Sequence, residues 1–591
     1  MRLLACALLV LCSLLPFAAQ ARDYDSFRRL PVLEDGRLKP LDSFAENMKV
    51  RLSGSSKGAV EWLAQTLFDP AAAAAVPVFR LANAHVRAML ELPEQPGKLY
   101  SLEQLAPGLA RTAEQAEALS QRKPADMTAD ERALLELHTH VLLYNQLLQA
   151  FSPLLPLPGP HDRAATYLEA QRNEQELTQQ LKAELTPEQV AKPETMTPAQ
   201  QDLALYLMTL DRLRRAGQNN MMLRIVPAAW AQQGEWLSPW QVLLAGQGSP
   251  QTREILLQWQ QAAAAWRSQN EAAWQSATQN LHASLGTRQL DLEVLYRDLR
   301  PYDVALGLLM LATLVAVYTA RTDRPPRAAW AVLLLATGVI ALALLGRIYI
   351  LDRPPVGTLY ESLLFVAAIM GVGTLRVARH RAALLAAGAL GMFGLLLVAP
   401  GVKPENESLT MLSAVLNTNF WLTVHVLCIT AGYGACLLAA LVAHVLLGAR
   451  ALGRSTAGYM PVLHRLSLWA LLFTAVGTLL GGVWADQSWG RFWGWDPKEN
   501  GALIIVLWLL WLQHGRLAGQ FAQLGYTVGI AALAVVVAQA WFGVNLLSTG
   551  LHSYGFIEGI AVALFSYTAA NLLLIAVLYI LIRRREGVHA A

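Results

Sequence analysis

The sequence predicts an all-α protein: a polytopic membrane bundle of about nine spans, preceded by a mainly helical extracytoplasmic domain. Three observations carry this expectation. The 591-residue chain is 54% hydrophobic and 15% charged, too apolar for an ordinary soluble enzyme. The apolar residues concentrate after Pro301, in stretches near 302–320, 328–351, 357–376, 382–400, 419–448, 466–484, 501–517, 525–546 and 557–582. Arginines gather at alternate ends of these stretches, at 321–327, 376–381, 450–454, 516 and 583–585. That distribution satisfies the positive-inside rule and puts the C-terminus in the cytoplasm. The net charge of +4 is small and lies beside apolar segments, so it speaks for membrane orientation and against nucleic-acid binding.

Residues 1–21 read as a secretory signal or an uncleaved anchor, with Arg2, an apolar core from Leu3 to Leu15 and the small-x-small site Ala19-Gln20-Ala21. Either form leaves residue 22 onward on the outer face. Residues 22–300 form the helical domain. Thr128 with Glu131 makes a capping box, and Thr186-Pro187, Thr197-Pro198 and Ser238-Pro239 place proline at the first helical position. Leucines at helical spacing predict a helix over Ala129–Phe151. His138 and His140 lie two apart, on different helix faces, and make a poor metal pair. The segment from Leu30 to Asp42 reads as a compact loop. Cys6 and Cys12 fall in the signal, and Cys428 and Cys436 in an apolar helix, where they serve as small packing residues without a disulfide framework.

Residues 301–591 form the membrane domain, and its centre is the loop 484–499, WADQSWGRFWGWDPKE. Trp484, Trp489, Trp493 and Trp495 fall in this one short loop with Gly490, Arg491 and Gly494, and Asp496, Lys498 and Glu499 close it. An interfacial aromatic belt is the plain alternative. A belt needs neither the glycines nor the fixed charged ending. A large, flat, apolar ligand with charged edges needs all of them: faces to stack on, close backbone approach and rim charges. His425 lies about one turn inside the outer end of the fifth span, and His552 on the outer loop between the last two. A lone histidine at a helix end is more often an interface residue; two beside an aromatic platform make a bis-imidazole grip on haem iron. His514 lies about 20 Å below the outer surface, and an ionisable group at that depth is a functional candidate. His444 reads as interfacial, and Arg347 and Glu361 as snorkelling or paired.

WGRFWGWDPKEN resembles the WWD motif of the CcsA (ResC) family, a subunit of the System II cytochrome c synthase. RPPVGTLYESLLF at 353–365 is similar to the family's loop before its next helix, and FGVNLLSTGLHSYGF at 542–556 resembles its histidine loop. The resemblance covers the membrane half. It implies a cytochrome c biogenesis protein of the bacterial inner membrane, with the N-terminal domain and WWD loop periplasmic. It implies haem b as substrate and bound ligand, His425 and His552 as external axial ligands, and His514 as the intramembrane ligand. The loop residues then bind the macrocycle, with Lys498 or Arg491 pairing a propionate and Asp496 and Glu499 fixing the loop. The implied reaction is thioether formation with an apocytochrome c CXXCH motif. The implied partners are a CcsB/ResB-like membrane subunit, the apocytochrome and, indirectly, thiol-reducing proteins. The chain departs from the fused form of the family: no block of CcsB spans precedes residue 300, and the long soluble half is unlike a minimal CcsA. A transporter or receptor for another apolar ligand, with an external sensing domain, is the alternative. It expects no haem and no dependence on the outer histidines.

Overall fold

A computed structural model describes residues 22–123, 126–157, 166–228, 235–244, 249–322, 326–402, 409, 418–543 and 560–590. The signal segment, with Cys6 and Cys12, lies outside them. The chain divides into two compact units at Val294/Leu295.

The first unit is helical, with three two-stranded ribbons among the described residues. Helix starts follow the caps legible in the sequence. Thr128, Thr186 and Thr197 each accept from the backbone N–H three residues on, and the side chain there answers the cap's own N–H. The leucine-rich helix runs Ala129–Gln149. Its buried face joins a core built around Phe27, Phe68, Trp259 and Trp274.

One expectation fails here. The segment read as a loop is an antiparallel hairpin, with Pro31–Glu34 paired to Arg37–Pro40. Asp35 and Gly36 make its two-residue turn, both at positive φ (51° and 81°) as a right-twisted hairpin requires. Glu293 fixes the second strand, taking Arg37 at 2.8 and 3.1 Å and the Ser43 hydroxyl at 2.6 Å.

The two nearby histidines are structural. His138 Nε2 is 2.9 Å from Thr112 Oγ1, and His140 faces Glu136 at 3.9 Å. Burial holds both imidazoles below their ordinary value, so they pack as neutral rings.

The second unit has nine long helices among the described residues: Pro301–Thr322, Arg327–Leu351, Leu359–Val377, Ala382–Val398, Leu427–Ala451, Tyr459–Trp489, Pro497–Leu517, Gln523–Phe542 and Ile560–Ala590. Eight are long and apolar enough to cross a membrane. The seventh has the length, about 31 Å against a hydrocarbon core of about 30 Å, and lacks the hydropathy. Lys498, Glu499 and Asn500 occupy its first turn, and Gln513, His514 and Arg516 its last. It packs against the sixth and eighth helices. Gln513 is satisfied inside by Ser467 at 2.8 Å and Tyr526 at 3.1 Å. Cys428 and Cys436 are free thiols.

Candidate functional site under the tryptophan loop

The fifth helix does not begin as a regular α-helix. Leu422–Val426 forms one π turn, with His425 inside it. Such turns are rare, and they concentrate at functional sites because the extra residue re-aims a side chain. The His425 Nδ1 lies 2.8 Å from the Gly477 carbonyl of the sixth helix. A carbonyl accepts only, so Nδ1 carries the proton and Nε2 holds the lone pair, the tautomer a metal ligand needs. The neighbouring backbone leaves room for the ring: a Cβ on Gly481 would stand 2.6 Å from His425 Cε1. Trp484 meets the imidazole edge-on at 5.7 Å and stacks with Trp421, 11° from parallel. Trp421 in turn donates to Gln487 Oε1 at 3.0 Å.

The tryptophan segment is shorter as a loop than the sequence suggests. The sixth helix continues to Trp489, so Trp484 and Trp489 stand on its last turns, and the loop proper is Gly490–Asp496. Gly490 ends the helix in a left-handed cap (φ 68°), where a side chain would be strained. Gly494 lies under the Arg491 guanidinium, in space that any side chain would contest. Arg491 also faces Glu499 at 3.6 Å.

Asp496 and Glu499 do fix the loop. Asp496 caps the seventh helix, accepting from Lys498 N at 2.8 Å and Glu499 N at 3.0 Å. Glu499 reaches back to the backbone N–H of Gly494 at 2.7 Å and of Asp496 at 3.2 Å. Trp495 is left-handed (φ 59°) and 69% exposed, and Trp493 meets it edge-on.

Beneath the loop is a cavity of about 170 Å³. Tyr433, Trp484, Trp489, Phe492, Trp493 and Trp541 supply its aromatic wall, and His425, Lys498 and Glu499 its other ionisable groups. Gly490, Arg491, Trp495 and Asp496 do not line it. Lys498 donates to the Trp541 carbonyl at 3.3 Å. Among the described residues the buried indole N–H groups of Trp484 and Trp493 have no hydrogen-bond acceptor.

The motif at 353–365 supplies another wall through Val356, Gly357, Thr358, Leu359 and Ser362. None of these had been singled out as a site residue. Their placement depends on Glu361, which is 0% exposed and takes Arg347 at 2.7 Å, Arg353 at 2.7 and 3.0 Å, and Gly357 N at 2.9 Å. Arg347 and Glu361 therefore pair in the interior and do not snorkel. Trp541 closes the cavity, donating to Ser362 Oγ at 3.3 Å.

His514 stands elsewhere. It is exposed on the bundle surface, its Nδ1 2.8 Å from the Leu510 carbonyl of its own helix. His552 and residues 544–559 of its loop lie outside the described residues. Among the described residues no group of three or more His, Cys, Asp or Glu side chains could hold a metal ion by itself.

The family model for "Cytochrome C assembly protein" matches residues 356–552, the stretch that carries the loop and its histidines. The cytochrome c biogenesis protein CcsA of Parasynechococcus marenigrum is 30% identical over 306 residues, covering 99% of that protein and 44% of this chain. The chain belongs to the CcsA family. CcsA of a Synechococcus strain is 29% identical over 291 residues, 94% of its length and 42% of this chain. Protein NrfI of Wolinella succinogenes is 34% identical over 224 residues, covering 36% of this chain. The chain spans about a quarter of NrfI, 24% of its length. The protein is thus an integral membrane protein of cytochrome c biogenesis, a role in which haem is handled.

Proposed function

We propose that this CcsA-family chain presents haem b under the tryptophan loop and attaches it covalently to apocytochrome c. The observation that carries the reading is His425, whose Nε2 lone pair is fixed by the Gly477 carbonyl beside the aromatic cavity. The buried indole N–H groups of Trp484 and Trp493 are donors suited to carboxylate edges such as propionates. The cavity of about 170 Å³ would admit only part of a porphyrin. His552 supplies the second axial imidazole.

In the reaction each cysteine S–H of a CXXCH segment adds across a haem vinyl group. Sulfur bonds to one vinyl carbon and the proton goes to the other, with no net oxidation or reduction. The chain contributes orientation and axial ligation, and the substrate contributes the reactive carbons.

The arginine distribution supports a periplasmic loop and N-terminal unit in a bacterial inner membrane, with a cytoplasmic C-terminus. Exposure of His514 on the bundle surface supports a ligand site completed by a CcsB/ResB-like subunit. Thiol-reducing proteins act upstream by keeping the apocytochrome cysteines reduced. The test is co-expression of the chain, a CcsB-like subunit and a reporter apocytochrome, scoring covalent haem by in-gel peroxidase staining. His425→Ala is expected to abolish the stained product and added imidazole to restore part of it. Wild-type staining in His425→Ala without imidazole would overturn the assignment.

A further inference from the structure

We infer that Lys498 is the proton carrier of the attachment reaction, taking the S–H proton of each cysteine and returning it to the vinyl group. The inference rests on the haem reading above and adds a chemical role at the same site. The addition needs such a group. A neutral thiol is a weak nucleophile, and its proton has to leave sulfur and arrive on carbon.

Among the described residues four ionisable side chains line the cavity under the loop: His425, Tyr433, Lys498 and Glu499. The third, sixth and eighth helices contribute none. Three of the four are committed. His425 gives Nδ1 to the Gly477 carbonyl and keeps Nε2 for iron. Glu499 takes the backbone N–H groups of Gly494 and Asp496 and faces Arg491 at 3.6 Å. Tyr433 is a phenol, protonated at neutral pH, and 3% exposed. Lys498 is held differently. Its Nζ makes one hydrogen bond among the described residues, at 3.3 Å to the Trp541 carbonyl, and no ion pair. The Asp496 carboxylate, its neighbour in the chain, turns instead to the backbone N–H groups of Lys498 and Glu499. A neutral amine so placed gives one N–H to the carbonyl and keeps a lone pair for a proton.

Lys498 stands in the loop-side turn of the seventh helix, ahead of the apolar stretch that starts at Gly501. Desolvation there lowers its amine to about 8, close to the value of about 8.5 for a cysteine thiol. Groups matched this closely exchange a proton with little cost in either direction. The amine takes the proton from sulfur, and sulfur bonds to one vinyl carbon while the π pair shifts to the other. That carbon takes the proton back from the ammonium. The amine is regenerated for the second cysteine, with no net gain or loss of electrons.

The test uses the full-length chain with a CcsB-like subunit, loaded with haem and mixed with a reduced reporter apocytochrome. Haem loading is read from the Soret band, and the initial rate of covalent attachment from the pyridine haemochrome spectrum. Lys498→Gln and Lys498→Arg are expected to keep the Soret band and to lose at least about tenfold in rate near neutral pH. Arginine keeps the cation and cannot give up its proton. The deficit should close as pH rises past about 8.5, where thiols ionise unaided. Ethylamine should restore part of the rate to Lys498→Ala. A wild-type rate in Lys498→Arg, or a deficit equal at every pH, overturns the proton role. Loss of the Soret band in both variants overturns it too, and makes Lys498 a residue that holds haem. Attachment that proceeds unchanged in His425→Ala is a separate outcome, and would overturn the haem reading on which the inference stands.

Discussion

His425 shows how much a single backbone carbonyl and a missing methyl can decide. The Gly477 carbonyl selects the tautomer, and Gly481 leaves the ring its space. Gly481→Ala puts a methyl 2.6 Å from Cε1, so the ring must turn away from its carbonyl. Haem affinity is expected to fall by about 10–100-fold, the usual cost of disturbing the group that orients a metal-ligating histidine. Haemin titration of the purified variant checks this, and an unchanged affinity would refute the positioning role. His425, Trp484, Trp489, Trp493 and Glu499, which line one cavity, were named from the sequence by residue type, and Trp495 and Asp496, named with them, do not line it. The π turn was not legible, because nothing in Trp421-Leu422-Thr423-Val424-His425 marks one extra residue in a helical turn. Nor was the role of Ser362 and Trp541, whose meeting is a long-range contact between the third and eighth helices.

At the scale of elements, the site is framed by two capped helices. Asp496 starts the seventh helix and anchors the loop's end, so Asp496→Ala should cost about 0.5–2 kcal/mol and loosen the loop. Faster proteolysis within 490–496 in the detergent-solubilised protein is the measurement. The third helix depends on Glu361. Glu361→Gln leaves Arg347 and Arg353, 0% and 3% exposed, without their carboxylate, and should cost about 3–5 kcal/mol. A matching drop in the thermal transition in detergent is expected, and an unchanged transition would contradict the structural role of the cluster. The helices themselves were readable, since apolar length and capping are local signals. The Pro31–Pro40 hairpin was missed although Asp35-Gly36 is a strong turn signal, because its flanks alternate weakly and charged Arg37 and Lys39 are buried by partners. The end of the sixth helix was also misjudged, because the helix outruns its apolar stretch to Trp489.

As a whole the molecule comprises two compact units, each with its own buried core. A fragment of residues 22–294 is therefore expected to fold alone as a soluble helical protein with one cooperative melt. Its pH response has a definite sign. His138 and His140 are lowered from the ordinary value of about 6.5 by burial, so the unfolded chain binds protons that the folded one refuses. Their contribution to stability is full above that ordinary value and is lost as pH falls from it toward the lowered folded values. A His138→Asn/His140→Gln fragment should show a shallower loss of melting temperature between pH 7 and pH 5 than the parent, roughly the range where histidine titrates. Equal slopes would mean that other groups carry the pH response.

The central claim is that iron sits between His425 and His552 under the tryptophan loop. The absorption spectrum of the detergent-purified full-length protein, beside His425→Ala and His552→Ala, tests it most directly. The account predicts a low-spin haem spectrum in the wild type, turned high-spin or lost in each variant and recovered by imidazole. A low-spin spectrum that survives both substitutions unchanged, or a wild-type protein that carries no haem when co-expressed with a CcsB-like subunit, would contradict it.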